Sequence, residues 1–422
     1  MTGGWQQFAR QFNYRGVVIV LVQYRLAFWG FFALGTKTGE AGNYGLWDQT
    51  AALGFVHKHI SSFRGDLTKV TVYGSSAGSV HTRSDGSLYN PWSHTLKTIE
   101  FSKNISKQLN CYFPKSVQQT KDCLKKVNVS QIWNALKGYG RQRNSMDLVL
   151  WGAVMDEDFF SGKSISQLTQ ETPIRSTLYG CTKGDGLAFT FYAGGPITSA
   201  FLGRTVDQQA NFSKTDFYNH VYTYLGSQEA AGPNYAQIQQ LFLDYYTRSS
   251  NASNLPSKFC LKYAEKLNIL FHAQTDGEFA GGQIMEIIGK MELKWKQHVY
   301  LFDYVHPSHR PLLGIDPTYT PHGYEYQYLM DAQPVFPFNK NETNAVELAF
   351  TKKIVDAMAS FVKTGNPSSS AVPWPAVDDP VQIKYLLVGE QVVAENTHYT
   401  EIANLWKKVY DLGYARTISQ LQ

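Results

Sequence analysis

A candidate nucleophile stands in the segment Gly74-Ser75-Ser76-Ala77-Gly78. This is the pattern G-x-S-x-G, in which a serine lies on a sharp turn between a strand and a helix. The glycines suit such a turn because side chains at their positions would clash across it. The bare pattern also arises by chance, with roughly 0.2 matches expected in a chain of this length and composition. An ordinary Gly/Ser turn is therefore the alternative, and the surrounding elements must decide.

Two further segments hold groups that could activate Ser76. Asp185 lies in the glycine-rich turn Gly180–Gly186, and His322 lies between a proline and a glycine. The order serine, acid, histidine is the chain order of the α/β-hydrolase triad. Because the three residues are far apart in sequence, only the fold could bring them together. Other acids and bases stay open as candidates for these roles: His306, His309 and Asp303.

The elements around Ser76 predict an α/β fold. The β-branched run from Gly16 to Val22 is typical of a strand buried on both faces of a parallel sheet. Leu46–Ile60 is predicted to be a helix, and Lys69–Tyr73 a second strand. The helix has apolar residues that share one face at helical spacing: Leu46, Leu53, Val56 and Ile60. A strand, a helix and a strand in this order form a βαβ unit.

The later part of the chain fits the same class. Val299–Phe302 and Tyr385–Val388 are predicted strands, and Val346–Val362 is a predicted amphipathic helix. Gly365 and Pro367 just beyond that helix form a stop signal. No repeat or linker divides the chain, so residues 1–422 are expected to form a single domain.

Composition narrows the range of functions. The chain has 422 residues, of which 43% are hydrophobic and 17% charged, so it can bury a large core. Its net charge of +5 comes without a basic run, so no nucleic-acid partner is expected. Gln23 and Arg25 interrupt the most apolar stretch, which therefore predicts no membrane span. His57 and His59 would face different sides of their helix, so no metal site is predicted there.

The residues from Phe63 to Gly78 carry a highly specific resemblance. They are similar to the serine-site signature of type-B carboxylesterases, the family that includes cholinesterases. Gln23–Leu26 and Gly42–Gln49 resemble the segments that precede it there, while Gly180–Gly186 and His322–Glu325 resemble its acid and histidine turns. The resemblance covers nearly the whole chain in order. It implies an α/β-hydrolase with a mostly parallel central sheet and flanking helices, and an exported esterase of the nematode carboxylesterase type.

The resemblance also implies a role for each candidate residue. Ser76 would attack an ester carbonyl, His322 would take the serine proton, and Asp185 would orient the imidazole. The backbone N–H of Ala77 would donate a hydrogen bond to the oxyanion. The expected substrate is a small-molecule ester, and no metal or cofactor is required.

The chain departs from the family pattern in its framework. The family's glycine-rich oxyanion loop and leading strands would lie upstream of Val17, so the domain is expected to be incomplete and truncated at its N-terminal end. Losing one oxyanion donor costs about 10²–10³ in rate. Between Val80 and Gly86, a helix and most of the next strand are expected to be missing, because this stretch shows no apolar face.

Two departures concern the site itself. Asp185 stands where the family more often has a glutamate, so the acid turn must lie closer to the histidine. Ser75 replaces the acidic residue usual before the nucleophile. Because this removes a negative charge, cationic choline esters become poorer candidate substrates.

Cysteines and glycosylation sequons bear on the compartment. Four cysteines allow three pairings. A Cys111–Cys123 disulfide would close a short loop and stabilise the fold by roughly 3 kcal/mol. The alternative is four free thiols in a cytosolic protein. The resemblance favours the disulfide, since this pair matches the family's small loop. The first residues show no signal peptide, yet the resemblance implies a secreted glycoprotein. Its acceptor sequons lie at Asn104, Asn128, Asn211, Asn251 and Asn341.

Three functional hypotheses follow. The first is a serine hydrolase that cleaves carboxylic esters through an acyl-enzyme on Ser76, weakened by the missing oxyanion loop. The second is a non-catalytic, esterase-like binding or adhesion protein, which the same missing loop suggests. The third is a truncated, inactive paralogue that does not fold stably.

Overall fold

The structure is a computed structural model that describes residues 5–78, 87–139, 146, 149–187, 211–248, 269–309, 319–330 and 343–414. The described strands form one sheet in the order β1-β2-β3-β4. Their bounds are Ser176–Thr182 for β1, Lys296–Phe302 for β2, Tyr385–Val388 for β3 and Val392–Glu395 for β4. β1, β2 and β3 run parallel, and β4 turns back antiparallel to β3. The mostly parallel sheet expected from the sequence is confirmed.

β1 and β2 form the long pair of the sheet and lead to the candidate site. Their register pairs Ser176 with Lys296 and Thr182 with Phe302, so both strands end at the same edge. Gly180 is required within this pair, because a Cβ there would lie 1.8 Å from the Tyr300 ring. The predicted strand at Val299–Phe302 is confirmed within the longer β2, and the one at Tyr385–Val388 is confirmed as β3.

Helices cover the sheet, as an α/β fold requires. Among the described residues the α-helices include α1 Trp5–Asn13, α2 Ala27–Phe31, α3 Tyr44–His59, α4 Lys97–Gln108, α5 Val117–Leu124, α6 Val129–Lys137, α7 Ile165–Glu171, α8 Lys214–His220, α9 Gln228–Ala231, α10 Tyr235–Arg248, α11 Gly281–Glu292, α12 Tyr326–Met330, α13 Ala345–Thr364 and α14 Thr397–Asp411. Two π-helical segments, Val221–Leu225 and Asp276–Ala280, extend α8 and precede α11. Short 3₁₀ turns occupy Ile60–Phe63, Ser76–Gly78, Gly232–Asn234 and Pro307–His309.

The core has one layer on each face of the sheet, because alternate strand residues point to opposite sides. Tyr179 and Leu301 belong to the layer that contains residues of α11 and α14. Tyr300 and Phe302 belong to the opposite layer, which contains residues of α13. The loops at the carboxyl ends of the strands therefore start from a sheet that is packed on both faces.

The two strands predicted before Ser76 are not formed, which corrects the predicted βαβ unit. Residues 16–22 and 69–73 have no strand assignment in the described structure, and neither joins the four-stranded sheet. Val17 and Ile19 pack partly against the α13 layer, whereas Leu21 and Val70 are 55% and 45% exposed. The apolar pattern indicated burial, but a strand also needs neighbouring strands to pair with.

The helix predictions agree with the structure better than the strand predictions, because the signals for a helix lie within its own sequence. The predicted helix at 46–60 is confirmed as α3, which buries Leu46 and Val56; Leu53, predicted on the same face, is exposed instead. The helix predicted at 346–362 is confirmed as α13. Asn344 and Glu347 form a capping box at its start, and Gly365 ends it with φ 72°.

The Cys111–Cys123 disulfide implied by the resemblance is present, with a Cα–Cα distance of 5.4 Å. It joins the segment after α4 to α5. Cys181 is a buried thiol, and Cys260 lies outside the described residues. Within the described chain, no helix is both long and apolar enough to cross a bilayer.

Candidate active site

The acid turn follows β1 directly and holds its carboxylate firmly. Asp185 is 1% exposed, and the backbone N–H of Thr182 donates to its Oδ2 at 3.0 Å. The Thr182 hydroxyl donates to Oδ1 at 2.7 Å. A buried carboxylate needs such donors because it has lost its water. The turn after the strand is therefore held by hydrogen bonds between its own residues.

The histidine turn is fastened to the acid turn through the backbone. The N–H of Gly184 donates to the carbonyl of Thr320 at 3.0 Å, and Gly184 and Pro321 form a parallel bridge. Gly323 has φ 69°, a left-handed conformation that glycine adopts without strain. These contacts place His322 directly beside the acid turn.

The structure brings His322 and Asp185 together across 137 residues of sequence, with Nδ1 2.8 Å from Oδ1. Their side chains are 14% and 2% exposed. Because a carboxylate only accepts, the imidazole hydrogen in this bond lies on Nδ1, which leaves Nε2 as a proton acceptor. The Phe279 ring lies 4.8 Å from the imidazole ring, at an interplanar angle of 32°. The pair has the arrangement that a general base and its orienting acid require.

Ser76 begins a 3₁₀ turn that continues through Ala77 to Gly78. Its φ of 53° is left-handed, which is uncommon for a residue other than glycine and marks strained functional turns. The N–H of Gly78 closes the turn by donating to the carbonyl of Ser75 at 2.9 Å. The approach of Ser76 Oγ to His322 stays a prediction. The stretch between Val80 and Gly86, where a helix and strand are expected to be missing, lies outside the described residues.

The alternative acids and bases are engaged elsewhere. His306 Nδ1 lies 2.6 Å from the Ser308 hydroxyl, and His309 Nδ1 lies 2.7 Å from the Tyr324 hydroxyl. Asp303 accepts from the Lys183 ammonium at 2.6 Å. Of the candidate acids and histidines, Asp185 and His322 are the pair that the described structure brings into contact.

A charged pair stands behind the acid turn. Lys183 and Asp303 are partly buried, and burial raises the pKa of Asp303 although Lys183 opposes that shift. Burial lowers the pKa of His272 to about 3 and that of His398 to about 4, and the charge of Lys183 adds to both shifts. Both histidines are therefore neutral at pH 7, and Lys183 supplies the positive charge of this region.

Thr182 and Phe279 also contact the candidate pair, and neither was predicted from the sequence. Thr182 has a weak local signal, because threonine and aspartate side chains often hydrogen-bond to backbone groups a few residues away. Phe279 had no local signal, since it reaches His322 only through the fold. In the described part of the chain, no group of three or more His, Cys, Asp or Glu side chains could hold a metal ion.

Three of the sequons can be placed. Asn211 and Asn128 are exposed, and Asn104 is half-buried in α4. Asn128 also caps α6, since its Oδ1 accepts from the N–H of Ser130 at 2.9 Å. Asn251 and Asn341 lie outside the described residues.

A mostly parallel sheet with helices on both faces, and an Asp–His pair beside the end of β1, defines the α/β-hydrolase class. The model of the carboxylesterase family matches residues 3–406. The chain belongs to the carboxylesterase family, so the resemblance and the predicted fold class are confirmed.

Several nematode relatives carry esterase names. The chain is 28% identical to gut esterase 1 of Caenorhabditis briggsae, over 99% of this chain and 76% of that protein. It is 27% identical to gut esterase 1 of Caenorhabditis elegans, over 96% and 73% respectively. Identity to esterase cest-33 of Caenorhabditis elegans is 26%, over 84% and 62%. The family and these relatives place the chain among carboxylic-ester hydrolases.

Proposed function

We propose that the chain hydrolyses small-molecule carboxylic esters through an acyl-enzyme on Ser76. Ser76 acts as the nucleophile, His322 as the general base and acid, and Asp185 as the orienting carboxylate. The observation that carries the proposal is the 2.8 Å contact between His322 Nδ1 and Asp185 Oδ1. It supports the proposal because it leaves Nε2 as the acceptor for a serine proton.

Acylation follows from these roles. Ser76 Oγ forms a bond to the ester carbonyl carbon while its proton moves to His322 Nε2. The tetrahedral intermediate collapses, the carbon–oxygen bond to the alcohol breaks, and the alcohol oxygen takes the proton from Nε2. Asp185 stabilises the imidazolium that forms between these events. The left-handed backbone of Ser76 supports this role, since it is the conformation of a sharp nucleophile turn.

The backbone N–H of Ala77 is the proposed donor to the intermediate's oxyanion. Ala77 lies in the 3₁₀ turn that Ser76 begins, as expected for a donor just after the nucleophile. A donor of this kind is worth about 10²–10³ in rate. The turn therefore supplies both the nucleophile and part of the stabilisation of the negative charge.

Deacylation repeats the sequence with water. His322 Nε2 takes a proton as the water oxygen bonds to the acyl carbon, and the acyl–Ser76 bond then breaks. The serine oxygen recovers its proton from Nε2, and the carboxylic acid leaves.

The neutral Ser75 beside the nucleophile favours uncharged esters over cationic choline esters, because it provides no carboxylate to attract a cation. We also propose that the protein is a secreted glycoprotein. The Cys111–Cys123 disulfide supports an oxidising compartment, and the exposed Asn128 and Asn211 are accessible acceptor sites.

Fluorophosphonate labelling tests the proposal directly, since the probe bonds to an activated serine oxygen. The 422-residue chain should take up one label, located at Ser76 by peptide mass spectrometry. Ser76→Ala should lose the label and ester turnover because the attacking oxygen is gone. Ser75→Ala, one position earlier in the same turn, is the matched control and should keep both.

Two outcomes would contradict the proposal. One is a folded wild-type protein, shown by a cooperative thermal melt, that takes up no label and turns over no ester; this would favour the non-catalytic binding protein. The other is undiminished labelling of Ser76→Ala, which would place the reactive serine elsewhere. A chain without a cooperative melt would support the inactive paralogue.

A further inference from the structure

We propose that Thr182 is a positioning residue that fixes the carboxylate of Asp185 for His322. This inference rests on the proposed function, because it matters for catalysis only if Asp185 and His322 serve Ser76. Thr182 is the last residue of β1 and is 1% exposed. It touches the acid and not the reacting atoms.

Both oxygens of the Asp185 carboxylate accept hydrogen bonds from Thr182. Oδ2 accepts from its backbone N–H at 3.0 Å, and Oδ1 accepts from its hydroxyl at 2.7 Å. Oδ1 also accepts from His322 Nδ1 at 2.8 Å. Water cannot readily replace these donors, since Thr182 and Asp185 are both 1% exposed. The side-chain rotation of the aspartate is thus fixed by the residue three positions earlier.

This arrangement suits an aspartate rather than the longer glutamate. An aspartate is one methylene shorter, so its carboxylate stays close to the backbone of its own turn. Thr182 holds it there from within the turn. The bond from Gly184 to Thr320 then brings the histidine turn to the carboxylate.

The shared oxygen also gives Thr182 an electrostatic effect on His322. A hydroxyl that donates to Oδ1 draws part of the negative charge that would otherwise stabilise the imidazolium. Removing the hydroxyl leaves more of that charge for His322, so its pKa should rise. At the same time the carboxylate loses one of its anchors. The change in the His322 pKa should appear in the pH profile, and the loss of the anchor should appear as a lower rate.

Thr182→Val and Thr182→Ser form a matched pair of variants. Valine keeps the β-branched shape without the hydroxyl, and serine keeps the hydroxyl without the methyl group. For Thr182→Val we expect kcat to fall about tenfold, as for a lost hydrogen bond to a charged group, with KM within about twofold. The acidic limb of the kcat/KM profile should move up by about half a pH unit or more. Thr182→Ser should stay close to wild type on all three measures.

The titration of His322 should also be followed by NMR with isotope-labelled histidine, assigned by the loss of its signal in His322→Gln. This measurement does not need turnover, so it distinguishes a failure of this inference from a failure of the proposed function. A higher His322 pKa in Thr182→Val alone supports the inference even if the protein hydrolyses no ester. An unchanged His322 pKa in Thr182→Val, or a Thr182→Ser variant as impaired as Thr182→Val, would overturn it.

Discussion

At the scale of single residues, the candidate site depends on how one buried carboxylate is bonded. Asp185 lies almost without solvent, yet it accepts from a backbone N–H, a hydroxyl and an imidazole. Charge-assisted hydrogen bonds of this kind compensate for the lost hydration of a buried ion. The carboxylate can therefore stay fixed while the imidazole beside it gains and loses a proton.

Asp185→Asn tests this dependence. An amide has an NH₂ group in place of one accepting oxygen, so it must either face a donor or allow the wrong tautomer of His322. We expect kcat to fall by about 10⁴ at neutral pH. Steady-state kinetics with a chromogenic ester would measure this change.

Asp303→Asn is the matched control, because Asp303 is a partly buried carboxylate that pairs with Lys183 at 2.6 Å. It should keep kcat within about tenfold of wild type, since it only supports the acid turn from behind. Equal losses in the two variants would argue against a specific role of Asp185.

The residues of the candidate site have clearer sequence signals than the residues that support them. Asp185 and His322 each lie in a turn with a characteristic local sequence, and their side chains are in contact. The contact of Phe279 with the imidazole could not be predicted, because it depends on a π-helical segment and on a separation of many residues. Partners chosen by three-dimensional proximity leave no local pattern.

At the scale of elements, the two π-helical segments form a linked unit beside the site. Tyr224 in Val221–Leu225 donates its hydroxyl to Glu278 Oε1 at 2.6 Å, and Glu278 lies in Asp276–Ala280. Gln274 adds a second donor to Oε1 at 2.9 Å. Phe279, the next residue, packs on His322. π-Helical turns often occur at functional sites, and here one of them presents a ring to the imidazole.

Tyr224→Phe removes the hydroxyl of this link and leaves the ring in place. Because Glu278 is fully buried, losing one of its donors should lower the free energy of unfolding by about 1–3 kcal/mol. Urea denaturation would measure the change. Tyr222→Phe lies in the same π-helical segment but is 44% exposed, and it should change stability by less than about 0.5 kcal/mol. If both variants lost the same amount, the buried link would contribute nothing specific.

The contrast between helices and strands shows what a sequence pattern can predict. Gly365, which ends α13, stands just after the predicted helix at 346–362, and the structure gives nearly the same bounds. Residues 16–22 and 69–73 had the composition of buried strands, but they join no described sheet. A helix completes its hydrogen bonds within itself, whereas a strand depends on partners elsewhere in the chain.

At the scale of the whole molecule, the sheet shares its two faces between two core layers. We propose on this ground that the chain forms one domain, since neither layer can be separated without exposing the other side of the sheet. The family and fold class could be predicted from the serine signature and the order of the turns. The pairing of the N-terminal segments could not.

The buried Asp276 should give stability a distinctive pH dependence. It is 4% exposed, and burial raises its pKa to about 7, although a hydrogen bond from Tyr246 opposes the shift. Between about pH 4 and pH 7 the folded state holds a proton that the unfolded state has lost, so this group makes stability fall as pH rises. The slope is at most about 1.4 kcal/mol per pH unit.

Three histidines act in the opposite direction, of which His298 is buried and the other two are half-buried. Burial lowers the pKa of His272 to about 3 and the pKa values of His298 and His398 to about 4. Below the usual histidine pKa the unfolded state binds these protons more readily, so the histidines make stability rise with pH over that range. The contribution of Asp276 must therefore be measured as the difference in the free energy of unfolding between wild type and a variant that lacks this carboxylate.

Asp276→Asn provides that difference, because an amide does not titrate. The free energy of unfolding of wild type, minus that of Asp276→Asn, should decrease steadily from pH 4 to pH 7 in chemical denaturation. When the same comparison is made in the Tyr246→Phe background, the difference should go on decreasing to a higher pH. The hydrogen bond that favours the ionised carboxylate is gone there. A difference that is constant over this range would show that Asp276 is ionised in the folded protein.

The backbone bond from Gly184 to Thr320 has a consequence for how this site can vary among relatives. The histidine turn is tied to the strand that carries the acid, and does not depend on the length of the polypeptide that leads up to it. We therefore expect insertions and deletions between β2 and Thr320 to be tolerated, while the distance between His322 and Asp185 stays the same.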